Sequence, residues 1–265
     1  MSVSFVLAVV AGLGFLGLFS LRQVLRREFP DVARIKTQYP VVSYRGPGVP
    51  PLVTLQRTRP SSWIALNEVS RAAVGAVLVS EDWAFYQHRG YDPNQIKEAL
   101  KKDLEEGGYA RGASTITQQV VKNIFLGPDK TIWRKLKELY LAVSLEEALK
   151  KNRILELYLN IAEWGPGVFG IGGASQLYFK KAPLELTAKE GAFLAMLLPS
   201  PIRYGQSYRA KKLTDYAAST IEAILSKMVQ ANYLTEEEQA REVARRLSFE
   251  ETSLDPGLRI PQNQE

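Results

Sequence analysis

Hydrophobic and polar positions divide the chain into an apolar start, a proline-punctuated stretch and a long helical remainder. Val3 to Leu21 is an apolar run without a charge. At about 1.5 Å per residue, a helix of that length just crosses a hydrocarbon core of about 30 Å, which predicts an N-terminal membrane anchor over residues 1–27. A cleaved signal peptide would need a basic segment before the run and a small-residue cleavage site before Arg22, and neither is present. Residues 28–62 carry Pro30, Pro40, Pro47, Pro50, Pro51 and Pro60 and two short β-like segments, Val41 to Tyr44 and Leu52 to Leu55. This stretch reads as an extended, Pro-rich linker. After Ser61 and Ser62, the pattern from Trp63 to Val79 predicts a helix that is amphipathic first and buried later.

Nearly everything from Pro93 onward reads as helix. One helix runs from Pro93 to about Glu106 and is ended by Gly107 and Gly108. Another begins near Ser114, and a third runs from Lys130 to about Lys150 with Asp129 as its N-cap. Ile154, Leu155, Tyr158, Leu159 and Ala162 form the apolar stripe of the next. Gly165, Gly167, Gly170, Gly172 and Gly173 mark a loop, followed by a helix ending near Tyr178 and Phe179. Thr187 with Glu190 and Thr235 with Glu238 have the spacing of capping boxes, the first opening an apolar helix that ends at Leu198 and the second a charged one. Between them, about 207–231 predicts a long amphipathic helix, and 251–265 reads as a flexible tail.

Candidate chemistry concentrates between Ser80 and Glu138. Adjacent carboxylates Glu81 and Asp82 follow the apolar run Val74 to Val79 and precede Phe85, Tyr86 and the only histidine, His88. A carboxylate where a buried helix ends suits general acid or base work. In a helix starting near Ser114, Ser114, Gln118 and Lys122 recur every four residues and share a face, offering a hydroxyl, an amide and an ammonium to a phosphate or a sugar. Gly112 ahead of them permits close backbone approach to an anion.

These residues resemble a known family. E-D-x-x-F-x-x-H-x-G (Glu81, Asp82, Phe85, His88, Gly90) and G-x-S-T-x-T-Q-Q-x-x-K-N (Gly112 to Asn123) are followed by R-K-x-x-E (Arg134, Lys135, Glu138) and K-x-x-I-L-E-x-Y-L-N (Lys151 to Asn160). The four motifs, in this order and spacing, resemble the bacterial peptidoglycan glycosyltransferases (transglycosylases) over roughly Trp63 to Leu225. The resemblance implies a mainly α, lysozyme-like glycosyltransferase domain at 63–250 on one N-terminal transmembrane helix. The implied reaction passes a glycan from a lipid diphosphate to the 4-hydroxyl of an incoming lipid-linked disaccharide-peptide, with inversion and release of polyprenyl diphosphate. It implies Glu81 as catalytic base and Glu138 as a second catalytic carboxylate near the donor diphosphate. Asp82, Ser114, Thr115, Gln118, Gln119, Lys122, Lys130, Arg134, Lys135 and Lys137 are the implied substrate-binding set, with Lys122 and Lys135 in direct diphosphate contact and Thr115 and Gln119 the more structural members. The fourth motif looks mostly architectural. A divalent cation, magnesium or manganese, is implied without a visible ligand cluster, and no organic cofactor. Membrane lipids and other wall-synthesis or division proteins are the implied partners. No transpeptidase fits in the residues after Leu225, which points to a monofunctional polymerase.

Three positions depart from the family pattern: Ala113 replaces a frequent glycine, Glu98 stands near a frequent arginine, and Thr220 replaces the arginine of R-x-x-x-V-L, here completed by Ile224 and Leu225. Two rival readings remain, a membrane-anchored glycan hydrolase and a catalytically weak scaffold. Composition narrows the partners. The 265 residues are 46% hydrophobic and 23% charged, enough for one sizeable domain and an anchor, and the net charge of +6 favours anionic lipids or diphosphates. Nucleic acid is disfavoured because no recognised nucleic-acid motif appears. With no cysteine and one histidine, disulfides, thiol nucleophiles and histidine-rich metal sites are excluded. Arg22, Arg26 and Arg27 follow the apolar run, so the positive-inside rule places the domain in the cytoplasm, whereas the family resemblance implies the outer, periplasmic face of the inner membrane.

Overall fold

The computed structural model describes residues 29–97, 114–129 and 131–250. The predicted anchor, most of the helix from Pro93, Gly112, Ala113, Glu98, Lys130 and the tail lie outside them. In chain order the elements are a 3-10 helix Val32–Lys36, β1 Tyr39–Ser43, β2 Leu52–Gln56, a 3-10 turn Leu66–Glu68, α1 Arg71–Glu81, α2 Ile116–Phe125, α3 Ile132–Ala148 and α4 Lys151–Ile161. The order continues with β3 Glu163–Gly165, β4 Val168–Phe169, α5 Ile171–Phe179, a 3-10 turn Pro183–Glu185, α6 Ala188–Leu197, two short helices Pro201–Tyr204 and Gln206–Arg209, α7 Asp215–Gln230 and α8 Glu236–Ala244. Two compact units result: one through Ser43, Pro50–Pro60 and Ala84–Tyr158, the other Tyr44–Val49, Ser61–Trp83 and from Leu159 on.

In the first unit the two β-like segments pair as an antiparallel hairpin, Tyr39 opposite Gln56 and Ser43 opposite Leu52. Pro40 is tolerated because a two-stranded sheet consists only of edges. The preceding 3-10 helix is capped by Asp31 and packs its buried Val32 and Ile35 against α3. α2 and α3 pack on each other, burying Ile116, Val120 and Val121 with Leu141, Ala142 and Leu145. Gly90, at φ +89°, lies so close to α3 that a Cβ there would sit 2.8 Å from the Ala142 carbonyl carbon, so no larger residue fits.

The second unit is built around α6, whose ten residues are all buried. α1 packs on it closely: a Cβ on Gly191 would lie 2.6 Å from the Ala73 Cα. α7 packs on both. Lys189 of α6 donates its backbone N–H to Glu242 (2.9 Å) and its ammonium to the Val243 carbonyl (2.8 Å) and the Arg245 carbonyl, tying α6 to the end of α8. Tyr178, Phe179, Phe193, Tyr208 and Phe249 form an aromatic cluster of mainly edge-to-face pairs. Among the described residues no helix is long and apolar enough to cross a membrane.

Several predicted boundaries move, each for a local reason. The helix expected from Trp63 starts at Arg71, because Val69 is extended and the Ser70 side chain caps the Ala73 N–H. Thr131, not Asp129, caps α3, accepting from the Arg134 N–H. The helix expected over 207–231 is interrupted: Lys211 turns left-handed at φ 53° and Thr214 caps a fresh start for α7. The glycine loop contains the hairpin β3–β4, with Gly167 at φ +72° in its turn. Both capping boxes, Thr187 with Glu190 and Thr235 with Glu238, form as expected.

Candidate active site

Helix α2 starts two residues after Ser114. Thr115 is its N-cap and is fully buried. Its hydroxyl accepts from the Gln118 N–H (3.2 Å) and donates to the Gly90 carbonyl (2.8 Å), while the Gln118 side chain accepts from the Thr115 N–H (3.0 Å). Gln118 is therefore occupied in a capping box, and Ser114 lies outside the helix, so the expected row of Ser114, Gln118 and Lys122 does not form a single helical face. Gln119 accepts from the Tyr158 hydroxyl at 3.2 Å. Lys122 is exposed on the last turn of α2.

Ser114 instead meets α3. Lys135 donates from its ammonium to the Ser114 Oγ at 3.0 Å and to Glu138 Oε1 at 2.5 Å, and Arg134 Nη1 donates to Glu138 Oε2 at 2.7 Å. The i,i+3 and i,i+4 spacing on one helix makes both pairs possible at once. Glu138 is 2% exposed and the Lys135 side chain 47%, so the carboxylate is the buried anchor and the ammonium its solvent-facing arm. Two cations against one carboxylate leave a positive charge here, and Lys137, over the Trp133 ring at 5.5 Å, adds another nearby. The Arg134 Nε–H is buried without a partner. Such an arrangement can offer charge-assisted donors to an oxyanion at the surface of a low-dielectric interior.

Glu81 and Asp82 belong to the second unit. Glu81 is the last residue of α1 and half-buried; Asp82 is the C-cap, buried, with its N–H on the Leu78 carbonyl at 2.9 Å. A carboxylate at the carbonyl end of a helix opposes the macrodipole, at a cost of about 0.3–1 kcal/mol. The close packing of α1 on α6 fixes the position of that end.

Sequence reasoning missed a buried network that supports the motifs of the first unit. Glu146 Oε1 accepts from Thr117 Oγ1 and from the Lys151 ammonium, both at 2.6 Å, and that ammonium lies over the Phe85 ring at 4.3 Å from its centroid. Phe85 is thus scaffold, as is His88, which is buried beside it. In the second unit Asn160 exchanges hydrogen bonds of 2.8 and 2.7 Å with the Ile64 backbone, consistent with an architectural fourth motif. Among the described residues no three His, Cys, Asp or Glu side chains gather in a metal site, and both Glu138 oxygens are committed to cations. These residues do not fit a protein-held metal.

Comparison with known proteins shows the family of the chain. The family model described as Transglycosylase matches residues 50–229. The chain belongs to the transglycosylase family. A biosynthetic peptidoglycan transglycosylase of Nitrosomonas eutropha is 40% identical over 171 residues, covering 63% of this chain and 70% of that protein. One from Pectobacterium atrosepticum is 42% identical over 170 residues, 64% and 68% of the respective chains. Penicillin-binding protein 1A of Escherichia coli is 35% identical over 229 residues, 85% of this chain but only 26% of that larger protein.

Proposed function

We propose that this protein is a peptidoglycan glycan-chain polymerase. It transfers a lipid-diphosphate-linked glycan to the 4-hydroxyl of a lipid-linked disaccharide-peptide. The acceptor oxygen attacks the anomeric carbon of the donor, and its proton passes to the Glu81 carboxylate. The bond from that carbon to the diphosphate breaks, with inversion from α to β, and the bond electrons leave with polyprenyl diphosphate. Lys135 and Arg134, held by Glu138, offset the charge gathering on the departing diphosphate, and Ser114 sets the direction of the Lys135 ammonium. Lys122, Lys130 and Lys137 add to the positive field, while Thr115, Gln118 and Gln119 keep α2 in place. Asp82 orients the end of α1 next to Glu81. No step runs through a metal ion; a magnesium or manganese ion would travel on the diphosphate oxygens, as such ions do with phosphate substrates.

The supporting observation is the buried Glu138 carrying two cations beside Ser114 in a chain of the transglycosylase family. A hydrolase has no diphosphate to hold, and a scaffold does not need this charge arrangement. The apolar residues 3–21 act as a single membrane anchor, with the domain on the outer face of the inner membrane, where the lipid-linked precursor is presented. The test is synthesis from purified lipid-linked disaccharide by the detergent-solubilised full chain, read as polymer on a gel. Polymer is expected; folded protein that makes none, or that cleaves preformed glycan instead, would overturn the reading.

A further inference from the structure

Glu81 and Trp83 stand two residues apart at the end of α1, both in the second unit. That unit packs its other two tryptophans away from water, Trp63 at 5% and Trp164 at 0% exposure, yet leaves Trp83 at 48%. Asp82 between them is buried, and at φ −161° it carries the chain out of the helix in an extended state. Among the described residues the Trp83 indole takes part in no ring pair, cation–π contact or hydrogen bond, unlike Trp133, whose ring carries Lys137. An indole is a large apolar surface, and leaving about half of it in water forgoes the hydrophobic gain taken at Trp63 and Trp164. The first motif, E-D-x-x-F-x-x-H-x-G, leaves position 83 open, so the indole belongs to this chain rather than to the motif.

We infer that Trp83 is a saccharide platform: its indole takes one face of the acceptor's pyranose ring and so helps to set the acceptor 4-hydroxyl against Glu81. Cα atoms two residues apart are separated by at most about 7.6 Å. A sugar whose hydroxyl reaches the Glu81 carboxylate therefore lies within range of the indole. A pyranose presents C–H groups on its faces, which the electron-rich face of an aromatic ring attracts, while its hydroxyls stay free for hydrogen bonds at the edge. The indole N–H adds one donor for a sugar or amide oxygen. A diphosphate gains nothing from an uncharged ring face, so the platform selects the saccharide part of the substrate. The inference rests on the proposed function and adds to it a residue that determines acceptor affinity.

The test uses the full chain in phosphatidylcholine nanodiscs with its four tryptophans replaced by 5-fluorotryptophan. Fluorine NMR then gives a signal for each, and loss in Trp83→Phe assigns that of Trp83. The probe is the lipid-free disaccharide-peptide, which carries the 4-hydroxyl but no diphosphate and so binds without turning over. Its addition should move the Trp83 signal, and polyprenyl diphosphate without sugar should not. A signal that stays in place, or that answers only to polyprenyl diphosphate or to the bilayer, would overturn the platform. Kinetics supply a second readout. Trp83→Ala should raise KM for the lipid-linked disaccharide about tenfold with kcat within about threefold, and Trp83→Phe should recover most of the loss. An unchanged KM, or a loss that follows thermal unfolding of the variant, would contradict the assignment. Polymer synthesis without the NMR shift overturns the platform alone; the shift without polymer supports the platform and overturns the polymerase.

Discussion

Thr115 shows how much one side chain of the second motif carries. It satisfies the first turn of α2 and donates to the Gly90 carbonyl, in the first motif. Thr115→Ala removes both, and chemical denaturation should show a loss of about 1–2 kcal/mol; an unchanged unfolding midpoint would contradict the role. Tyr178 gives a second test. Its hydroxyl donates to the Trp164 carbonyl at 2.9 Å, and burial, then the neighbouring Tyr208, push its pKa up to about 12 against a smaller opposing pull from Arg209. The unfolded phenol ionises near pH 10, so the stabilisation is complete below that pH and is lost as the pH rises through about 12. Thermal melts should therefore fall more steeply between those values for the wild type than for Tyr178→Phe, and parallel slopes would refute the assignment. The motif residues were legible one by one in the sequence. Their assignments were less so: Gln118 reads as a free amide, yet the box geometry commits it to the Thr115 N–H.

Among the elements, the pair α1 and α6 decides where Glu81 stands. Gly191→Ala puts a methyl 2.6 Å from a backbone atom of α1, which cannot yield as a flexible side chain does. The expected cost is about 1–3 kcal/mol by denaturant unfolding, with polymer yield reduced at permissive temperature because α1 is displaced. Stability equal to the wild type would mean that the helices are not in close contact. The apolar α6 and its Thr187 cap were readable, as were the hairpin strands and the charged α8. Helix starts were harder, for a physical reason: Trp63 to Leu66 is as apolar as the helix that follows, so periodicity cannot separate a 3-10 turn from α-helix, and Ser70 does. The break before α7 depends on Lys211 at φ 53°, a backbone state that only glycine or asparagine would have advertised.

For the whole molecule, the pairings that matter join residues far apart in sequence. Asn160 and Ile64 are 96 positions apart, and Glu146 gathers Thr117 and Lys151 from different motifs. Local pattern contains no trace of such contacts; the family resemblance located the motifs, and the fold shows which of their side chains are scaffold. The proposed function assigns the chemistry to Glu81, the Lys135–Glu138–Arg134 group, Ser114 and the neighbouring lysines. The most direct measurement is glycan polymerisation by purified Glu81→Gln beside the wild type, with thermal unfolding of both. The base role predicts a fall in rate of about 100- to 10,000-fold, with the variant still unfolding cooperatively. A variant that polymerises within a few-fold of the wild type, or that loses activity only by unfolding, would contradict it.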